Sequence, residues 1–451
     1  MKTNIIAVMG IFALCTGNLA ACNDFENPGV AYEEPQDNPE VPNPPQINPS
    51  WNLVLMANEG QQNEHVFAYK DKKYDALFTR TLGWNGGDGV LTTGLPNGNV
   101  FWSFNDSFYG VVEGETRTRL SCSFPRNNLM IQTGEDDDSD LVWLADYVQT
   151  DDPDAERYYH ARTHIRHPQA TLSEADIERG EIDQDYVYWA GDATVYDDPE
   201  RGKVLQMLWT GVNLTGGDNS MVNFDSCLRE YSLEGTPGDG QYMSVLTTDY
   251  DFGDDGYAYG STMFEDKDGH VYLYTTRQEG LISRVLVART ETLDLRSQWS
   301  YYIRDVNGEY HWQTELPTDE EMQRSHISSY SGSMPWIFEK DGTYYMVMES
   351  FPFGRGIYIY RSEKPYGPFE DEKLLFSLPE TLDKIGNPYH QRWYMVNLHP
   401  ALSREGELVF STNSDPNNFW DNFNREGSAD FYRPYFFRVY NWEAVYDDTE
   451  E

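Results

Sequence analysis

The sequence predicts an all-β protein built as a five-bladed β-propeller, and three observations carry that prediction. Runs of alternating apolar and polar residues come in pairs around turn residues, the pattern of half-buried strands joined in hairpins. Only two short segments read as helical, Leu172–Arg179 and Thr318–Gln323, so strands do not alternate with helices as in a parallel α/β sheet. Hairpin groups recur roughly every 60 to 80 residues over about 390 residues, too long for one sandwich and suited to five blades around a central channel. The aromatic load, 15% of 451 residues with 32 Tyr and 12 Trp, favours strands and sugar-facing clefts over a helical bundle.

The elements follow in chain order. Lys2 precedes an apolar run, Ile5–Leu14, too short to span a bilayer and shaped like a secretory signal. Leu19-Ala20-Ala21-Cys22 resembles the bacterial lipoprotein box, which implies a signal peptide over 1–21 and a lipid on Cys22. Asn23-Asp24-Phe25-Glu26 resembles the surface-export signals of Bacteroidetes lipoproteins, so the expected address is the outer membrane, facing outward. Residues 22–50 are Pro, Asn and Glu with almost nothing to bury, and read as an extended tether. The folded domain is expected over 51–445, with an acidic tail at 446–451.

Within the domain, Val90–Leu95 and Asn99–Asn105 flank Pro-Asn-Gly, and Tyr186–Tyr196 and Val204–Val212 flank "DDPERG". Gly260–Glu265 and His270–Thr276 flank "DKDG", and Trp336–Glu339 and Tyr344–Ser350 flank "KDG". Ala401–Ser403 and Glu407–Thr412 flank "REGE". The late run Tyr435–Trp442 is expected to pair with the early "WNLVLMAN" and close the ring.

Charge narrows the partners. Asp and Glu number 75 against 33 Lys and Arg, a formal charge of -42, which repels phosphate backbones and excludes nucleic acid as a natural partner. Cys122 and Cys227 are either one bridge or two buried thiols, and no Cys/His spacing of zinc type occurs. "DKDGH" lacks the glutamate a calcium loop needs, so it reads as a turn. The sequence calls for no metal or cofactor, and leaves room for a structural calcium without assigning its ligands.

The first hairpin carries the chemistry. If Pro96-Asn97-Gly98 is a three-residue loop, Leu95 pairs with Asn99, and counting outward sets Asp88 directly across from Asp106. Two facing carboxylates repel, so one holds a proton while the other ionises, the arrangement general acid–base chemistry needs. A two-residue turn would put Asp106 on the other face, leaving the aspartates as caps.

The run "GWNGGDGVLTTGLPNGNVFWSFNDSF" resembles the N-terminal signature of a group of secreted bacterial domains long catalogued as uncharacterised. That group is similar to the endo-D-arabinanases, five-bladed propeller glycosidases, and more distantly to the arabinanase and xylosidase propellers. "YGSTMFEDKDGHVYLYTTR", "IYIYRSEKPYGPF" and "LHPALSREGELVFSTN" add weaker matches. The resemblance implies that Asp88 and Asp106 are catalytic. The acidic inserts Glu135–Asp140 and Asp249–Asp255 depart from the pattern and leave the sugar open.

Glu349, ending "YYMVME", is the third candidate carboxylate, as an acid or a pKa-setting neighbour. Candidate substrate-binding residues are Asn105, Arg126, Asp192, Tyr259 and His399, with Gly191-Asp192 expected to mark a bulge. The basic island "YYHARTHIRH" reads as a loop for an acidic group. Together these predict a monomeric, surface-anchored glycoside hydrolase acting on a polysaccharide, with arabinofuranose-containing glycans in view. The alternative is a non-catalytic glycan-binding lipoprotein feeding an oligosaccharide uptake system.

Overall fold

The computed structural model describes residues 49–447, apart from 62, 135–139, 148–159, 217–220, 254–255, 280–281, 329–333, 350–353, 381–390 and 417. The signal segment, Cys22, nearly all of the tether and the end of the acidic tail lie outside the described residues, as does most of the Glu135–Asp140 insert.

The fold is all-β, with six antiparallel sheets among the described residues. The first main sheet holds Leu91–Gly94, Val100–Phe104, Asn128–Gln132 and Leu141–Trp143. The second holds Tyr186–Asp198, Gly202–Asn213, Val222–Ser232 and Val245–Asp249. The third has five strands between Thr262 and Gln313, and the fourth has four between Trp336 and Ser377. The fifth joins the two ends of the domain, in the spatial order Leu53–Leu55, Phe67–Asp71, Pro434–Tyr440, Glu407–Pro416, Gln391–Leu398. A smaller sheet of Leu82–Gly87, Ser107–Glu113 and Thr118–Ser123 stands beside the first.

Neighbouring sheets touch in chain order. Leu91–Gly94 lies against Tyr186–Asp198, which lies against Thr262–Glu265, and that strand against Trp336–Lys340. The fourth sheet meets the fifth through Thr343–Glu349 and Gln391–Leu398. The fifth returns to the first through the turn Pro400–Leu402. The contacts are apolar: Trp102 and Trp209 are fully buried, and each large side chain removed from water contributes about 2–3 kcal/mol. Trp102 keeps its indole N–H satisfied by donating to Gln132 Oε1 at 3.1 Å.

The pairing of the late strand differs from the expectation. Pro434–Tyr440 pairs with Phe67–Asp71, and "WNLVLMAN" is one strand further out, its Leu53–Leu55 pairing only with Phe67–Asp71. "FAYKD" is buried along its whole length, whereas Leu53–Leu55 is half-buried, so the more apolar strand takes the inner place. Ala401–Ser403, expected as a strand, falls instead at a 3-10 turn, Pro400–Leu402, because Pro400 removes an N–H that a ladder would use.

Both expected helices form, the first shortened to Glu174–Glu178 and the second shifted by one residue to Asp319–Arg324. Ser173 with Asp176 and Thr318 with Glu321 close capping boxes. A third, Lys72–Leu77, is capped by Asp71 and was hidden by its brevity. Cys122 and Cys227 are both free, in different sheets.

Candidate active site

The first hairpin has the three-residue loop. Leu95 N donates to Asn99 O at 2.9 Å and Gly98 N to Leu95 O at 3.0 Å, with Gly98 at φ +82, the left-handed position such a loop requires. Leu91 pairs with Ser103 on one side of the aspartates and Gly87 with Ser107 on the other. Both pairings give the same register, and they set Asp88 opposite Asp106; Asp88 N donates to Asp106 O at 3.2 Å.

The aspartates stand where this long hairpin leaves the small sheet and enters the first main sheet. Gly89, at φ +72, makes the break, and a Cβ there would lie 2.5 Å from Asn105 Cγ. Asn105 N donates to Asp88 O at 2.8 Å, and its Oδ1 accepts from Ala190 N of the second sheet at 2.7 Å. Asn105 therefore anchors the break from behind.

Asp106 is 1% exposed. Arg126 Nη1 donates to its Oδ2 at 3.1 Å and Trp189 Nε1 to its Oδ1 at 3.4 Å. Arg126 is itself 1% exposed and gives its Nε to Asp183 O at 2.7 Å. Its Nη2 has no hydrogen-bond partner among the described residues.

Asp88 keeps part of its surface open. Tyr394 and Tyr432 both donate to its Oδ2, at 3.0 and 2.9 Å. Burial first, and then the facing Asp106 charge, push its carboxyl up to about 8, against the two phenol hydrogen bonds. Burial also raises Asp106, with Arg126 opposing. Of the two, Asp106 is the one with a cation against it, which favours its ionised form.

A third carboxylate flanks them. Asp415, 2% exposed, accepts from Arg392 Nη2 at 3.1 Å and is pushed up to about 7 by burial. Two residues earlier on the same strand, Asn413 Nδ2 donates to Gly87 O at 2.5 Å, so this strand face turns toward the Asp88 segment. Gly87 N also donates to Tyr432 O at 2.6 Å. Phe108, Phe124, Tyr394 and Tyr432 pack as one buried apolar cluster beside the carboxylates.

The other sequence candidates are dispersed. Gly191 and Asp192 form the expected bulge, between the pairs Ala190–Trp209 and Ala193–Met207. Asp192 Oδ1 and Oδ2 accept from Ala193 N and Met263 N, each at 2.8 Å, and burial raises it to about 7. It works as a strut between the second and third sheets. His399, expected to bind substrate, is fully buried. Thr92 Oγ1 and Ser411 Oγ lie 2.8 Å from its two ring nitrogens, and burial pushes it down to about 3. It joins the first and fifth sheets and offers no surface to a sugar. Tyr259, 4% exposed, packs in the core against Tyr301 at 5.2 Å. Glu349 is buried at the end of its strand.

The basic island is neutralised from within. Arg166 pairs with Asp183 at 2.7 Å, Arg162 with Glu174 at 2.8 Å, and His167 with Asp225 at 2.8 Å. That leaves no excess charge for an acidic substrate. "DKDG" is a plain turn: Gly269 N donates to Asp266 O at 3.0 Å. Among the described residues, no group of three His, Cys, Asp or Glu could hold a metal ion.

Sequence reasoning missed Tyr394, Tyr432, Asp415, Arg392 and Trp189. All but Trp189 come from the last sheet or the segment leading back into it, about 300 residues from Asp88. "NSDPNN" reads as a turn, yet Asp415 is a buried strand residue.

Fold and site define an all-β protein with sheets touching in chain order and an unequally partnered aspartate pair at a strand break. The chain belongs to the family described as a domain of unknown function, DUF5005, whose model matches residues 71–442. Among solved structures, it is 57% identical to a presumed hydrolase from Bacteroides ovatus, with a TM-score of 0.84, covering 92% of this chain and 100% of that one. A GH43_1 enzyme from Xanthomonas citri, complexed with xylotriose, is 11% identical with a TM-score of 0.37, covering 82% of this chain and 92% of that one. An exo-beta-1,3-galactanase from Phanerochaete chrysosporium is 9% identical with a TM-score of 0.38, covering 77% and 65%. No curated protein matches the sequence.

Proposed function

We propose that the protein is a glycoside hydrolase, built as a five-bladed propeller, that cuts a polysaccharide at the cleft holding Asp88. The observation that carries this reading is the pair itself, two carboxyls in register across one hairpin with unlike partners, one protonated near neutrality and one beside a cation. Five sheets touching in chain order support the architecture, and the 57% identical Bacteroides ovatus relative, named as a presumed hydrolase, supports the reaction class.

In this reading Asp88, which reaches the surface, delivers its proton to the glycosidic oxygen. Asp106 is too buried to touch a sugar. It acts through Asp88, its negative charge raising the neighbour's proton affinity. Arg126, equally buried, acts from behind by holding Asp106 ionised. A lipid on Cys22 and the 22–50 tether would hold the enzyme on the outer surface of the outer membrane as a monomer, and the hairpin's resemblance puts arabinofuranose-containing glycans first among substrates.

The test is a screen of the chain from Trp51 onward against a polysaccharide panel led by D-arabinan and arabinogalactan, with chromatography of products. Asp88→Asn should stop product release while glycan affinity stays near that of the parent. Unchanged turnover in that variant would sink the assignment. Glycan binding without turnover in the parent would support a capture protein instead.

A further inference from the structure

Asp88 is held in an unusual way. Two phenols, Tyr394 from the strand Gln391–Leu398 and Tyr432 from the segment entering Pro434–Tyr440, donate to the same oxygen, Oδ2, at 3.0 and 2.9 Å. The other oxygen, Oδ1, accepts no hydrogen bond among the described residues, and Asp88 is the member of the pair with open surface. A carboxylate oxygen has two lone pairs, and one that accepts two O–H donors has both engaged and little room for a proton of its own.

Both tyrosines are aimed by departures from regular strand. Tyr432 sits at φ +58, a conformation that costs a bulky residue roughly 1–3 kcal/mol and persists only where surroundings impose it. Here they do: Tyr432 N donates to Ser414 O at 2.7 Å, and its carbonyl accepts from Gly87 N at 2.6 Å. Tyr394 stands at a register break, since the pairs Tyr394–Asn413 and Asn397–Ser411 bracket an irregularity with Met395 at φ +56. Two separate distortions converge on one carboxylate oxygen.

We propose that Tyr394 and Tyr432 are positioning residues that reserve Oδ2 of Asp88 as the acceptor, so that the proton it transfers is carried on Oδ1, the oxygen left for the cleft. This rests on the hydrolase reading. In the step itself, the O–H bond at Oδ1 breaks as a bond forms from that proton to the glycosidic oxygen. The electron pair stays on the carboxylate, whose new charge on Oδ2 is met by two phenol donors already in place. The other charged groups facing Asp88 are Asp106 with Arg126, both just outside the first sheet, and Asp415 with Arg392 on the fifth.

The experiment titrates the carboxyl directly, by infrared difference spectroscopy of the folded chain with 13C-aspartate, taking the band lost in Asp88→Asn as the Asp88 signal. Losing donors to the ionised form raises proton affinity, so Tyr394→Phe and Tyr432→Phe should each move the Asp88 midpoint upward, and the double variant by about tenfold in proton affinity. With any polysaccharide the parent cleaves, the alkaline limb of the kcat profile should move up with the midpoint, while KM stays within about twofold. A midpoint unmoved in the folded double variant overturns the proposal, even if Asp88→Asn abolishes turnover. A shifted midpoint with full turnover in Asp88→Asn overturns Asp88 as the proton donor, and with it the transfer from Oδ1, while the phenols remain as partners of the carboxyl. A general structural role for the tyrosines predicts a lower melting temperature with the midpoint unchanged, which also overturns the proposal.

Discussion

Two aspartates, Asp88 at the break beside the first sheet and buried Asp192 in the second, show how similar shifts serve different ends. Burial raises both, to about 8 and about 7. Asp192 spends its two oxygens on backbone N–H groups of two sheets, at 2.8 Å each, and nothing remains for a ligand. Asp88 gives one oxygen to two phenols, leaves the other without a hydrogen bond among the described residues and faces a second carboxylate. A raised carboxyl is therefore not a catalyst by that fact. The informative difference is where its hydrogen bonds go.

Substitutions sharpen this contrast. The largest effect is expected from Asp88→Asn, a fall in turnover of about 10²- to 10⁴-fold with little change in melting temperature. Asp192→Ala should do the reverse, costing about 2–3 kcal/mol in urea unfolding by stranding two buried N–H groups, with turnover per folded molecule nearly intact. A large turnover defect in folded Asp192→Ala would break the distinction.

The pH responses separate them as well. If Asp88 must be protonated, hydrolysis should fall as pH rises through about 8. Asp106→Asn removes the negative charge that helps raise it, so that limb should move to lower pH, as kcat/KM profiles would show. Asp192 acts on stability. Its folded carboxyl, near 7, lies above the unfolded value of about 3.9, so its contribution is complete below that value and is lost as pH rises through 7. Within that window the loss is up to about 1.4 kcal/mol per pH unit, and Asp192→Asn should flatten it in denaturant titrations. The smallest effect belongs to the far end of the hairpin. Gly98→Ala meets no atom within 4 Å and should cost only the left-handed strain, about 1 kcal/mol in thermal unfolding.

The hairpin was legible because its turn and its alternation are local. Pro96-Asn97-Gly98 dictates the register, and the register brings Asp88 to Asp106. The Gly191-Asp192 bulge was legible for the same reason. What was not legible came from far along the chain: Tyr394, Asp415 and Tyr432 reach Asp88 only because the fifth sheet returns to the first. His399 misled because a histidine before a proline looks like a cleft residue. Its partners Thr92 and Ser411, which make it a packing residue, lie on two other strands.

The fifth sheet also sets an order of events. Phe67–Asp71 needs Pro434–Tyr440 as its neighbour, and buried Asp71 needs Arg438, whose Nε donates to it at 2.5 Å. A chain released before those last strands would leave an apolar edge and an unmatched buried carboxylate near its beginning. A strand made early is thus among the last to be satisfied, so completing this sheet acts as a check on length. A truncated product would carry its own mark for proteolysis.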